Sequence, residues 1–332
     1  MEQEKKVRTR DKVLELFEKN KGKYYSGEEL AEKLSVSRAA VWKAVNSLRN
    51  DGYDIDAVTN RGYCMSAQTD ILSPQGIRKY LAEELCHTEI DVVATIDSTN
   101  AKVKEAANKG VTEGYLLVSG SQTKGRGRYG RHFCSPEESG VYMSILLRPY
   151  NCPAGKAACI TTMAAVAVCE AIEEVSGQEA QIKWVNDIFV KGKKVCGILT
   201  EASIGVENGM VEYAVLGIGI NIYAPNNGFP EDISHIAGAV FDNKKEEAKN
   251  RITALVYNRF MNYYKDKTQI DYVEEYRKRS FVIGNNIMVL SGNKTRKAYA
   301  YGIDDECHLL VRYENGEEEC LTYGEISVST LV

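Results

Sequence analysis

Three arginines fall within the glycine-rich stretch Gly125-Arg126-Gly127-Arg128-Tyr129-Gly130-Arg131, and no carboxylate occurs from Gly114 to Pro136. Glycines let backbone N–H groups approach a ligand closely, and guanidinium forks supply several charge-assisted hydrogen bonds. These residue types at this spacing suit an anion such as a phosphate or a carboxylate. Gly125, Gly127 and Gly130 also fit the G-x-G-x-x-G of dinucleotide-binding folds, but there the third glycine leads into a helix. Here Arg131-His132-Phe133-Cys134-Ser135-Pro136 follows, so the dinucleotide reading is set aside. A solvated basic hairpin tip remains the alternative on this stretch alone.

Strands must deliver the other candidates. The β-rich run Val92 to Ile96 leads into Asp97-Ser98-Thr99-Asn100 and a helix from Ala101 to Lys109. These short side chains either cap the helix or hold a ligand, and spacing leaves both open. Tyr115 to Val118 precedes Gln122 and the arginine stretch; Val141 to Leu147 and Gln181 to Trp184 read as strands, the second reaching Asn186-Asp187. Phe189-Val190 and Val195 to Thr200 form a hairpin around Lys191-Gly192-Lys193-Lys194, whose lysines read as turn solubility, and Tyr213 to Gly219 ends in Asn221.

The first 65 residues are organised differently. Val7 to Asn20 has helical apolar spacing, Ser26 with Glu29 forms a capping box before Leu30, Ala31 and Leu34, and Ser37 opens a helix from Arg38 to Asn50. Two helices joined by so short a turn are a helix-turn-helix. Arg38, Lys43 and Arg49 fall opposite the Val41, Val45, Leu48 stripe, and Asp54 to Val58 leads to a hairpin tip at Thr59-Asn60-Arg61-Gly62-Tyr63. Arg38, Lys43, Arg49 and Arg61 are therefore the candidate DNA contacts, with a structural or protein-binding winged helix as the alternative. The segment carries 13 Lys and Arg against 11 Asp and Glu, a small excess.

With 332 residues the chain suits two or three domains, and a net charge of -4 confines nucleic-acid contact to one region. Nine cysteines without a C-x-x-C pair fit free thiols in a reducing cytosol, and the adjacent pairs Cys86-His87 and Cys307-His308 lack zinc-ligand spacing, so no metal-ligand set is expected. Met1 to Arg10 is charged where a signal peptide is apolar, and Ala157 to Ile172 reads as a core helix too short for a membrane span. Asp242 to Asn250 reads as the start of a helix running to Lys265, and Phe281 to Val332 as short strands forming a small barrel.

Taken in order, Asp97-Ser98-Thr99-Asn100, Gln122 with Gly125 to Arg131, Lys183-Trp184-Val185-Asn186-Asp187 and Lys194-Val195-Cys196-Gly197-Ile198-Leu199 resemble the biotin protein ligases, and the helix-turn-helix resembles that of their bifunctional bacterial branch, which also represses biotin synthesis. The family usually has proline at the position of Val185 and often tryptophan at that of Phe133. The resemblance implies an α+β multidomain protein: a winged helix (1–66), a mixed α/β catalytic domain like the class II aminoacyl-tRNA synthetases (67–280) and an SH3-like barrel (281–332). It further implies a cytoplasmic enzyme that makes biotinyl-AMP from biotin and ATP with Mg²⁺, then biotinylates a lysine of a biotin carboxyl carrier domain. By resemblance Arg126, Gly127, Arg128 and Lys194 hold the carboxyl and phosphate groups and Ser98, Thr99, Asn100 and Gln122 hold biotin. Asn186 and Asp187 orient Mg²⁺, ribose or the incoming amine. Operator DNA and a ligand-dependent homodimer are the implied partners, with no membrane. A lipoate protein ligase and a noncatalytic ligand-sensing repressor are the rival functions.

Overall fold

The computed structural model describes residues 8–265, 272–291, 294–322 and 324–328. The expected helix start at Val7 and the chain end from Ser329 lie outside the described residues. The chain forms two compact units, Met1–Cys86 with Lys244–Ala254, and His87–Asn243 with Leu255–Val332.

The first unit contains α1 (Thr9–Lys19), α2 (Gly27–Leu34), α3 (Arg38–Asn50), the hairpin β1 (Ile55–Val58) and β2 (Gly62–Met65), and α4 (Pro74–Arg78). Its boundaries follow from caps. The Ser26 hydroxyl accepts the Glu29 amide while the Glu29 carboxylate accepts the Ser26 amide, completing the capping box. Ser35, in the left-handed region at φ 52, turns the chain, and the Ser37 hydroxyl accepts the Ala40 amide to open α3. Val13, Leu14, Phe17, Leu30, Val41, Val45 and Leu48 fill one core. Tyr25 and Tyr63 exchange backbone hydrogen bonds of 2.9 and 2.8 Å, seating the hairpin against the α1–α2 connection. A Cβ on Gly62 would lie 2.0 Å from the Tyr25 carbonyl, so only glycine admits this pairing.

The second unit is built on a seven-stranded mixed sheet, in the order β3 (Ile90–Ile96), β4 (Leu116–Gln122), β5 (Gly140–Leu147), β9 (Val211–Asn221), β8 (Lys193–Ile204), β7 (Asp187–Val190), β6 (Ala180–Lys183). Only β3 and β4 run parallel; the other pairs are antiparallel. The unit also holds α5 (Thr99–Asn108), α6 (Ala158–Ser176), α7 (Glu231–Ser234) and α9 (Tyr272–Arg279), while α8 (Ala248–Lys265) contributes residues to both units. Strands β10 (Asn286–Ser291), β11 (Lys294–Ile303), β12 (Leu309–Tyr313), β13 (Glu318–Leu321) and β14 (Glu325–Val328) form an antiparallel sheet in the order β13-β12-β11-β10-β14, the β-rich C-terminal domain. The whole is the α+β multidomain arrangement expected.

Two expectations are corrected. The stretch from Asp242 to Glu247 lies outside the helix: Glu247 sits at φ 54, a conformation no α-helix interior admits, and α8 begins only at Ala248, running to Lys265 as expected. The apolar helix runs past Ile172 to Ser176, and with the turn before it spans 23 residues, long and apolar enough to cross a membrane by length and composition. Its Ile160, Ala164, Val168, Ala171 and Ile172 are nevertheless buried within the protein, which explains an apolar composition on every side.

Candidate active site and nucleic-acid interface

Sheet register builds the floor of the main cavity. Tyr142, Gly219, Gly197, Asp187 and Lys183 pair successively across β5, β9, β8, β7 and β6, forming one row. The Phe133 ring lies on this row, since a Cβ on Gly219 would come within 2.4 Å of it and one on Gly197 within 2.9 Å. Tyr142 supports the ring edge-to-face at 6.3 Å between centroids. In the adjacent row Ser144 pairs with Gly217 and Gly217 with Leu199. The two rows floor a cavity of about 540 Å³, a size suited to a small-molecule ligand.

One end of the cavity is polar and uncharged. Gln122 Oε1 accepts from the Thr99 amide at 2.9 Å and the Thr99 hydroxyl at 3.1 Å, while Gln122 Nε2 donates to the Ser135 hydroxyl. The Ser144 hydroxyl lies 2.8 Å from Thr99 Oγ1 and 2.6 Å from Asn100 Oδ1, and its single proton serves one of them at a time. Asn100 Nδ2 donates to Glu201, which is ion-paired with Lys104. Burial alone would raise the Glu201 carboxyl; hydrogen bonds from Lys104 and Asn100 and the charge of Lys104 and Arg126 outweigh it and hold the pKa below its usual value. The Asp97 to Asn100 stretch caps the helix, and it also lines the cavity. Ser98 caps α5 by accepting the Ala101 amide and Asp97 accepts the Ser98 amide, while Ser98, Thr99 and Asn100, all nearly buried, line the cavity.

The other end carries charge. Lys194 Nζ is 2.7 Å from Asp187 Oδ1. Burial pushes the Lys183 ammonium below its usual pKa, against the opposing pull of Asp187. Lys194 is not at a turn tip, as its sequence context suggested: Lys191-Gly192 make the turn, and Lys194 pairs with Phe189 inside β8 at a register shift, lining the cavity. Its amide donates to the Ile236 carbonyl and its carbonyl accepts the Gly238 amide, which draws Phe229, Ile233, Ile236 and Ala237 over the pocket.

The arginine stretch is a short hairpin. The Phe133 amide donates to the Gly125 carbonyl and the Gly127 amide to the Arg131 carbonyl, with Tyr129 and Gly130 at positive φ in the tip. Arg131 continues in extended geometry, which removes the dinucleotide reading. Arg126 and Arg128 line the cavity. Arg128 donates to Asn186 Oδ1 and to the Gly324 carbonyl, both at 3.0 Å, and Asn186 Nδ2 donates to the Ile198 carbonyl. Arg131 instead forms a bidentate pair with Glu325, and the Gly127 amide is committed to the hairpin. The Trp184–Val185 peptide, where proline was expected from the family, is cis. Trp184 Nε1 donates to the Cys307 carbonyl and the Tyr276 hydroxyl to the Val185 carbonyl, which fixes the turn that carries Asn186 between β6 and β7.

On α3 of the first unit Arg38, Ala39, Trp42 and Lys43 are exposed. Arg61 stacks on the Tyr24 ring at 4.2 Å. Arg49 departs from its expected place: its guanidinium donates from Nε and Nη2 to the Ile55 carbonyl at 2.8 and 2.5 Å, so it ties α3 to the hairpin.

Sequence reading missed Ser144, Gly217, Gly219 and the Phe229 to Ala237 segment. The glycines carried a signal: two glycines two residues apart in the β-branched run Val215 to Ile220 mark a face that something approaches closely. Ser144 carried none, because a lone serine in an apolar strand is indistinguishable from a satisfied core residue.

A floor of glycines with a neutral polar end and a cationic end suits a small ligand that is uncharged at one end and anionic at the other, in a chain that also carries a winged helix. Family models agree in their order along the chain: an HTH domain over 9–64, the biotin/lipoate A/B protein ligase family over 92–221 and the biotin protein ligase C-terminal domain over 282–329. The bifunctional ligase/repressor BirA of Bacillus subtilis (strain 168) is 35% identical over 92% of this chain and 95% of its own length, and that of Salmonella typhimurium is 27% identical over 92% and 94%. A biotin protein ligase from Aquifex aeolicus, solved in complex with biotin and ATP, matches with a TM-score of 0.59 at 25% identity, covering 72% of this chain and 98% of its own. The chain belongs to the biotin protein ligase family, in the branch of the bifunctional ligase/repressors.

Proposed function

We propose that this protein is an ATP-dependent biotin protein ligase that also represses transcription, using biotinyl-AMP both as activated intermediate and as corepressor. The observation that carries the reading is the polarity of a single cavity, neutral hydrogen-bonders at one end and Lys194, Lys183 and arginines at the other. Biotin has the matching form. Its ureido ring needs uncharged partners, supplied by Thr99, Asn100 and Gln122 with Ser144 bonded behind Thr99 and Asn100, and its apolar chain crosses the glycine floor. A dithiolane ring offers those polar groups no hydrogen-bond partner of its own, which disfavours lipoate.

In the first step a biotin carboxylate oxygen attacks the α-phosphorus of ATP, the bond to the β-phosphate breaks, and pyrophosphate leaves. Two anions must meet, so stabilising developing negative charge and aligning the reactants dominate the barrier. Lys194, Arg126 and Arg128 supply positive charge at that junction, and Asn186 holds Arg128 in place. In the second step a lysine amine of a biotin carboxyl carrier domain attacks the acyl carbon and AMP leaves, so no enzyme nucleophile is required. Mg²⁺ would neutralise the ATP phosphates. Its ligands would come mostly from phosphate and water, and Asp187, which lines the cavity, would be the carboxylate to assist.

The domain assignments are 1–66 for operator binding, 67–280 for catalysis and 281–332 for the C-terminal domain. Closing of the arginine hairpin on the adenylate orders a surface for homodimerisation, which raises operator affinity. The test is incubation with ATP, Mg²⁺ and either biotin or lipoate, following pyrophosphate and the labelled carrier domain. Sedimentation with and without biotin and ATP tests the dimer. Labelling from lipoate but not from biotin would overturn the substrate, and no pyrophosphate from either would overturn the enzyme.

A further inference from the structure

The solvent face of α3 carries one residue that charge does not explain. Trp42 is 57% exposed, with Arg38 one turn before it, Lys43 next to it and Ala39 beside it. Val41, Ala44, Val45 and Leu48 turn inward to the core, so helical geometry directs Trp42 out of the unit. Leaving so large an apolar surface in water forgoes a burial gain that the rest of the unit exploits. Among its described residues the other large apolar side chain that stands well out is Val58, 40% exposed. Both therefore fall on the second helix of the helix-turn-helix and on the hairpin that carries Arg61. Trp42 is the fifth residue of α3, in the N-terminal half that such folds present to base edges.

Resting on the DNA-binding reading above, we propose that Trp42 is a sequence-determining residue that reads the C5-methyl groups of thymines in the major groove, while Arg38, Lys43 and Arg61 meet phosphates. Indole is a donor only at Nε1 and is otherwise apolar, and the thymine methyl is the apolar feature that distinguishes bases in that groove. Arg49, fastened to the Ile55 carbonyl, takes no part. The face thus divides its work. Cations set affinity for any duplex, and Trp42 sets preference among sequences.

The experiment uses the full chain with biotin, ATP and Mg²⁺ present, and a duplex selected from a random pool by the unaltered protein. Each thymine is then replaced in turn by deoxyuridine, which removes only the methyl group. The parent protein is expected to lose about fivefold or more in affinity at one or more thymines of each half-site. Trp42→Ala is expected to bind the unmodified duplex about tenfold more weakly, to show no loss on those same replacements, and to keep the parent's salt dependence. Trp42→Phe restores part of the methyl sensitivity. Unchanged pyrophosphate release and thermal unfolding show that the variant is folded. Equal deoxyuridine sensitivity in Trp42→Ala and parent would overturn the proposal, as would a uniform loss on all duplexes with a flatter salt slope. If the parent selects no sequence at all, the DNA-binding reading itself fails and the helix face serves a protein partner instead.

Discussion

Gly217 tests whether the neutral end of the cavity is the biotin end. A methyl group added there would sit 2.2 Å from Asn100 Oδ1, 2.8 Å from its Cγ and 2.9 Å from its Nδ2. Strand backbone on one side and the start of α5 on the other leave Asn100 as the group that must yield, by about 1 Å to reach ordinary contact. That shift pulls Oδ1 from the Ser144 hydroxyl at 2.6 Å and Nδ2 from Glu201 at 2.8 Å. Overpacking of this kind costs about 1–3 kcal/mol, and each buried hydrogen bond weakened adds about 0.5–1.5 kcal/mol. Gly217→Ala is thus expected to destabilise the second unit by about 2–6 kcal/mol, lowering its Tm by roughly 4–24 °C. Biotin KM in pyrophosphate release should rise about tenfold or more while ATP KM stays nearly constant, because ATP meets the opposite end. Adding Asn100→Ala should return much of the lost Tm without restoring biotin affinity, a non-additivity expected of groups in contact. An unchanged Tm together with an unchanged biotin KM would refute the placement of biotin and the packing argument behind it.

Four further outcomes follow from named contacts. Lys194→Gln removes the cation paired with Asp187 in the cavity and is expected to lower the rate of adenylate formation by about 100-fold or more, read by single-turnover pyrophosphate release; a parental rate would return Lys194 to a structural role. Arg128→Gly deletes the guanidinium held by Asn186 and Gly324, so the intermediate should escape and label an unrelated lysine-rich protein, whereas strict carrier specificity at normal turnover would show that other groups retain it. Arg38→Ala and Arg61→Ala should each reduce the slope of log K against log salt by about 1, while Arg49→Ala should lower the Tm of the first unit through its lost bonds to Ile55, the reverse pattern contradicting the assignment. Burial raises the pKa of Glu18, against the pull of Lys21, so its carboxyl contributes stability that is full below its ordinary range and is lost as pH rises through the raised value. Glu18→Gln, which never ionises, should accordingly stand higher in Tm relative to the parent at pH 7 than at pH 4, and a difference independent of pH would discount the burial.

The sequence alone located what is local and repetitive. The Ser26 and Ser37 caps set α2 and α3 because a hydroxyl three residues before an orphan amide acts within one turn. The arginine stretch was legible as a candidate anion site because glycine and guanidinium are informative wherever they stand, and it does line the cavity. What lay beyond a few residues' reach was decided by pairing. Lys194 looked like a turn lysine, and only the bulged register of β8 against β7, with the Ile236 and Gly238 backbone bonds, turns it into the cavity. Arg49 and Arg38 were equivalent on a helical wheel, and the fold tied one to Ile55 and left the other in solvent. Ser144, Gly217 and Asn100 come from three elements far apart in the chain, and their meeting depends on strand order, which period-2 alternation does not encode.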